Sequence, residues 1–136
     1  MNSAVRTENQ QGRAIQGQNY AIGVDRVKPV VNYLRQGKSI GWVGFNLSYP
    51  SAEELGSLPP GVKTSSGVAG TPAAAAVNGK TLLIIGLNGK RITNSLSSYC
   101  AAAGTLTSGQ QATFTVMDIT NPDKPGKPEA LKLRVP

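Results

Sequence analysis

Side chains that could do chemistry are scarce in this chain. None of its 136 residues is histidine, and cysteine occurs once. Without His there is no Ser-His-Asp or Cys-His nucleophile and no His metal site. A Ser–Lys pair has no S-x-x-K stretch to stand on. Cys100 has no second Cys for an internal disulfide and no companions for a metal; in its alanine-rich surroundings it reads as a small hydrophobe. "VNGKT" at 77–81 imitates the end of a phosphate-binding loop, but the required earlier Gly is replaced by Ala74, so it reads as a turn. Asn46-Leu47-Ser48 is a formal glycosylation sequon, discounted because it falls inside an expected strand. We therefore expect no catalytic residue, no metal, no cofactor and no enzymatic activity in this chain. One stretch still asks for an explanation. "SIGWVGFNLSYP", residues 39–50, holds the only Trp and one of the two Phe. Val43, Phe45 and Leu47 alternate as strand core residues do, yet Gly44 sits between the first two. Gly there marks either a bulge or a close approach of the backbone to something else.

Charge and length limit the partners. The net charge is +7, with a pI near 9.9. A basic protein can bind nucleic acid through phosphates. Here Arg35, Lys38, Lys63, Lys80, Lys90, Arg91, Lys124, Lys127, Lys132 and Arg134 are scattered, and no aromatic ladder accompanies them. A nucleic-acid-binding domain is the alternative reading; no nucleic acid is the expectation. No apolar run approaches the length of a membrane span, and the run from Leu82 to Ile85 suits a buried strand. "MNSAVRTENQQGRAIQG" has no signal-peptide core, so the targeting signal of an exported parent is expected outside this chain. The length suits one compact domain with some flanking chain.

The elements that must hold residues 39–50 can be read along the chain. After a polar stretch to residue 20, Asp25 is expected to cap a helix with an apolar stripe of Val27, Val30, Val31 and Leu34. Pro29 is expected near its first turn and Gly37 at its end. Trp42 to Ser48 reads as a strand. "YPSAEELGSLPPG" reads as a loop with room for a short helical turn, and Val62 to Val68 as a weaker strand. Thr71 and Pro72 open a short helix that Asn78-Gly79 closes. "LLIIGL" is a buried strand, and Asn88-Gly89 turns it toward a short return strand at Ile92. Asn94 or Ser95 caps a second helix ending at Gly104, with Leu96, Tyr99 and Ala103 on one face. Ala112, Phe114 and Val116 alternate in one strand; Leu131, Leu133 and Val135 alternate in the last. The expected core is Val43, Phe45, Leu47, Val62, Val68, Ala73, Ala76, Leu83, Ile85, Leu87, Ile92, Phe114, Val116, Leu131 and Leu133. This order predicts an α+β fold: a partly open antiparallel barrel of five to six strands capped by two helices, after an N-terminal helical linker.

Four segments in this order carry a resemblance. "WVGFNL" resembles the carboxylate-binding loop of PDZ domains. "GVAGTPAAAA" is similar to the G-S-P-A helix of bacterial members. "LLIIGLNGKRI" is similar to their D-V-I-L-x-V-N-G strand and turn, and "SLSSYCAAA" to the helix that walls their peptide groove. Upstream, "NSAVRTENQQGRAIQGQNYAIGVDRVKPVVNYL" resembles the end of the trypsin-like domain of HtrA proteases. The acidic residue usual before "V-I-L" is missing around Thr81-Leu82, and Gly23 replaces the family's Pro in "FAIP". The second helix is small and poor in charge, which leaves peptide preference open.

The resemblance implies that 1–37 is the end of a protease domain plus a linker helix, and that 38–136 is a PDZ domain. It implies a serine endopeptidase as the parent, in an extracytoplasmic setting of a bacterial cell. The expected partners are peptide or unfolded-protein C-termini and the parent's own protease domain. The expected peptide-binding residues are Trp42, Val43, Gly44, Phe45, Asn46, Leu47, Leu96, Tyr99 and Ala103. A buried carboxylate needs several donors aimed at one point, and successive backbone amides supply them without ordering side chains. Val43, Gly44 and Phe45 would form that nest, with Gly44 bare so that the ligand can come close. The strand from Asn46 onward would then accept a C-terminal or extended peptide as an extra strand.

Overall fold

The computed structural model describes residues 2–5, 19–21, 23–38 and 40–136. The chain forms two units, Met1–Lys38 and Ser39–Pro136. In the first, β1 (Asn2–Val5) pairs antiparallel with β2 (Asn19–Ala21), and α1 runs over Val24–Arg35. Gly23 is the N-cap of α1, and no side chain caps it. Asp25 is thus not the expected cap: the helix starts ahead of it, and its carboxylate sits in the first turn, where the helix dipole favours it. Pro29 lies inside the helix, beyond the first turn, and costs the ladder a donor there. Gly37, at φ +66°, follows the C-cap Gln36 as expected. The stripe of α1 is largely uncovered, with Val30, Val31 and Leu34 exposed.

The second unit contains β3 (Phe45–Ser48), α2 (Ala52–Leu55), β4 (Val62–Gly67), α3 (Pro72–Val77), β5 (Leu82–Leu87), β6 (Lys90–Arg91), α4 (Leu96–Ala103), β7 (Gln111–Asp118) and β8 (Glu129–Arg134). The six strands form one antiparallel open sheet in the order β3-β4-β5-β7-β8, with β6 paired to β5. The fold is α+β, with four helices among the described residues. None of these is long and apolar enough to cross a membrane.

Local chemistry explains most boundaries. Ser51 and Glu54 make a reciprocal capping box on α2: Glu54 N–H donates to Ser51 Oγ at 3.1 Å, and Ser51 N–H to Glu54 Oε2 at 2.7 Å. Thr71 caps α3, with Pro72 at its first position. Asn78 (φ +39°) and Gly79 (φ +77°) then reverse the chain, and Asn88 (φ +49°) and Gly89 (φ +78°) make the tight β5–β6 turn. Ser95, rather than Asn94, caps α4: its Oγ accepts from Ser98 N–H at 3.2 Å.

Between sheet and helices lies the main core: Val43, Phe45, Val62, Ala73, Val77, Leu82, Ile84, Leu87, Ile92, Tyr99, Ala103, Leu106, Phe114, Val116, Leu133 and neighbours. A smaller cluster of Leu55, Leu83 and Met117, with Leu58, Ile85 and Ile119 against it, covers the other face. This corrects the phase expected for β5. Leu82 and Ile84 join the main core, and Leu83 and Ile85 face the other way. A register shift between Ile84 and Gly86 brings Leu87 back to the main core. Val68 is exposed, because β4 ends at Gly67. β3 begins at Phe45 rather than Trp42, since Gly41 (φ +72°) and Gly44 (φ +94°) bend the chain out of strand geometry.

Candidate functional site

Among the described residues β3 is an edge strand, with β4 as its one sheet neighbour. The segment ahead of it is tied at its root. Gly41 N–H donates to Leu106 O at 2.8 Å, and Ile40 pairs with Thr107 in an isolated antiparallel bridge. A Cβ built on Gly41 would lie 3.5 Å from Gly104 Cα, so the start of the loop rests on the end of α4. At the other end of β3, Asn94 Nδ2 donates to Pro50 O at 3.1 Å, just ahead of α4. The start of β3 thus meets the end of α4, and the exit of β3 meets its entrance. The helix runs antiparallel to the open edge.

Backbone donors collect at the start of that edge. Val68 N–H donates to Gly44 O at 2.8 Å. The Gly44–Phe45 peptide is trans, so Phe45 N–H points the opposite way, off the sheet and toward the open edge. The N–H groups of Val43 and Gly44 donate to no backbone or side-chain acceptor among the described residues. Three successive amides are therefore uncommitted to the sheet. Successive N–H groups that converge in a turn can hold an anion.

No protein-family model and no curated protein matches the sequence.

The side chains around these amides divide into two sets. Val43 (2% exposed), Phe45, Tyr99 (6%) and Ala103 (1%) come together in the main core, with Leu47 half-buried against it. The Phe45 ring packs edge-on against Phe114, centroids 5.4 Å apart, pinning β3 to β7. Burial pushes the Tyr99 phenol up to about 12, helped by Tyr49 and Cys100 nearby. Trp42 (44% exposed), Asn46 and Leu96 (56%) lie at the surface and outside that cluster. Asn46 Nδ2 donates to Ser66 Oγ at 3.0 Å, so its side chain braces β3 against β4.

Gly44 differs from expectation in one respect. Its positive φ fits a nest, but the missing Cβ makes room for Thr71 rather than for a ligand. A Cβ there would stand 2.7 Å from Thr71 Oγ1 and 3.0 Å from Thr71 Cβ. Thr71 is itself held, donating from Oγ1 to Val68 O at 2.7 Å and accepting from Ala74 N–H at 3.3 Å. The cap of α3 thereby packs beneath the loop. Thr71, Asn94, Tyr49 and Pro50 belong to the site's framework, although their sequence signals point only to caps and turns.

Proposed function

We propose that Ser39–Pro136 is a PDZ-type peptide-binding module that takes the free C-terminus of a peptide or unfolded protein. Three uncommitted amides at Val43, Gly44 and Phe45, placed at the root of an edge strand flanked by an antiparallel helix, carry this reading. The terminal carboxylate sits on those amides through charge-assisted hydrogen bonds. The residues before it add to the open edge of β3 as another strand, so main-chain bonds supply affinity. Val43, Phe45, Leu47, Tyr99 and Ala103 form an apolar floor that favours an apolar last residue. Asn46 and Leu96 lie along the flanks, and Trp42 beside the carboxylate. The module binds without cleaving. Its place in the resemblance is that of the substrate-recognition part of an HtrA-like serine protease in an extracytoplasmic compartment.

Trp42 is the chain's only tryptophan, so its fluorescence reports binding directly. Peptides ending in an apolar residue should bind at micromolar concentration. Their C-terminal amides should bind more weakly by on the order of 1.5–3 kcal/mol, the worth of a hydrogen bond to a charged group. Equal affinity of acid and amide would overturn the carboxylate seat.

A further inference from the structure

We propose that β8, the other edge of the sheet, is a second strand-addition site, and that its occupant is an extended segment of another polypeptide with Asp or Glu at alternate positions. Among the described residues β8 pairs with β7 alone, so one side of its main chain has no strand beside it. The hydrogen bonds show which residues face outward. Val135 N–H donates to Gln110 O at 2.8 Å, and bonded pairs alternate from there through Ala112–Leu133 and Phe114–Leu131. The main-chain groups of Ala130, Lys132 and Arg134 therefore turn away from β7. Thr113, opposite Lys132, agrees: its N–H donates to Asn88 Oδ1 and its carbonyl accepts from Asn88 N–H, both at 2.8 Å.

Those same three residues set the charge beside the edge. Leu131 and Leu133 point to the main core, where Ala73 and Val77 of α3 also lie, so Ala130, Lys132 and Arg134 project from the opposite face. They share it with Gln111, Thr113 and Thr115 of β7, and no carboxylate stands among them. Lys132 and Arg134 are exposed, and the ion pair formed among the described residues, Lys80–Asp118, involves neither. Arg134 Nε donates to Gly109 O at 3.2 Å, which holds its side chain beside the edge. Charged side chains on an edge strand keep ordinary apolar strands off it. A second copy of β8 is a poor occupant too: antiparallel pairing gathers four cations on one face and, centred on Lys132, sets the two lysines directly opposite. A segment with acids two residues apart satisfies both the main chain and the charge. At roughly 3.3 Å per residue its carboxylates stand about 7 Å apart, the spacing of Lys132 and Arg134 along β8. Opposite charges directly across a ladder stabilise it. The intervening residues fall on the side of half-buried Leu131, where apolar side chains fit best.

The probe is a short fluorescein-labelled peptide, acetylated and C-amidated, with two Glu residues two positions apart and Val or Thr elsewhere. It has no free C-terminus, so its behaviour is independent of the carboxylate reading of β3. Titrated with the full chain by fluorescence anisotropy, it should bind about fivefold or more tightly than its Gln-for-Glu analogue, the worth of two cross-strand ion pairs, and more weakly as salt is raised. The double variant Lys132→Glu, Arg134→Glu should lose the Glu peptide and take its Lys-for-Glu counterpart instead. Lys132→Glu alone serves if the double variant folds poorly, because Arg134 also bonds Gly109; far-UV circular dichroism checks both. A peptide of the same charge with Pro at alternate positions cannot complete a ladder and should bind at least severalfold more weakly. Equal binding of the Glu and Gln peptides, or no binding of either, would overturn the proposal. So would binding that survives charge reversal, which would place the peptide elsewhere. Equal binding of the Pro peptide, or of a single-stranded oligodeoxynucleotide of matched charge, would show attraction by charge alone and overturn strand addition at β8.

Discussion

Gly44 is where one residue answers to two demands. Its φ of +94° costs any L side chain about 1–3 kcal/mol in strain, and the position of its absent Cβ is 2.7 Å from Thr71 Oγ1. Gly44→Ala should therefore lower stability by about 2–3 kcal/mol in a urea titration, before any ligand is considered. The two sources of that loss can be separated. Thr71→Gly removes the obstructing side chain while leaving a tolerable N-cap. Gly44→Ala should cost less in that background, with a coupling of about 0.5–3 kcal/mol in the double-mutant cycle. Equal costs in the two backgrounds would mean that Thr71 yields freely and that only the dihedral matters.

At the scale of elements, α4 docks through Tyr99, and the docking can be read from its titration. The folded phenol ionises at about 12, against about 10 when exposed. Below pH 10 both folded and unfolded phenols are neutral, and the contribution of docking is complete. Between 10 and 12 the unfolded chain loses its proton first, so stability falls as pH rises. The loss approaches on the order of 2 kcal/mol by pH 12. The difference in urea midpoint between the unsubstituted chain and Tyr99→Phe should thus shift in favour of the variant from pH 9 to pH 11.5. A difference that does not change with pH would show that the phenol is ionised freely and that α4 is not seated on it.

For the whole molecule, the consequence is independence. Among the described residues, the main core and the smaller cluster draw their members from residues 43 to 135, and the sheet that joins them lies inside the second unit. A polypeptide of residues 39–136 should therefore fold by itself and unfold in one cooperative step, with a stability in the ordinary range of about 5–15 kcal/mol. A broad, non-cooperative melt of that fragment would show that residues 1–38 are needed to complete the fold.

What the sequence determined by itself is what short-range sterics and periodicity control. Thr71-Pro72 opens α3, Asn78-Gly79 closes it, and Asn88-Gly89 turns β5 into β6, because each needs only local dihedrals that few residue types adopt. The alternation of Ala112, Phe114 and Val116, paired with Leu133, Leu131 and Glu129, was legible for the same reason: a period of two holds as long as a strand stays regular. In β5 that condition fails. With four consecutive apolar residues there was no alternation to read, and the shift between Ile84 and Gly86 decides the faces. The site divides along the same line. Two glycines around Trp42 and Val43 marked a bent backbone ahead of an edge strand, but nothing local joins Gly44 to Thr71 or Asn94 to Pro50, which is 44 residues away. Those contacts exist because β3 pairs with β4 and α4 lies antiparallel along the remaining edge. Only the tertiary structure could decide that the glycine makes room for a helix cap, and that β3 meets both ends of α4.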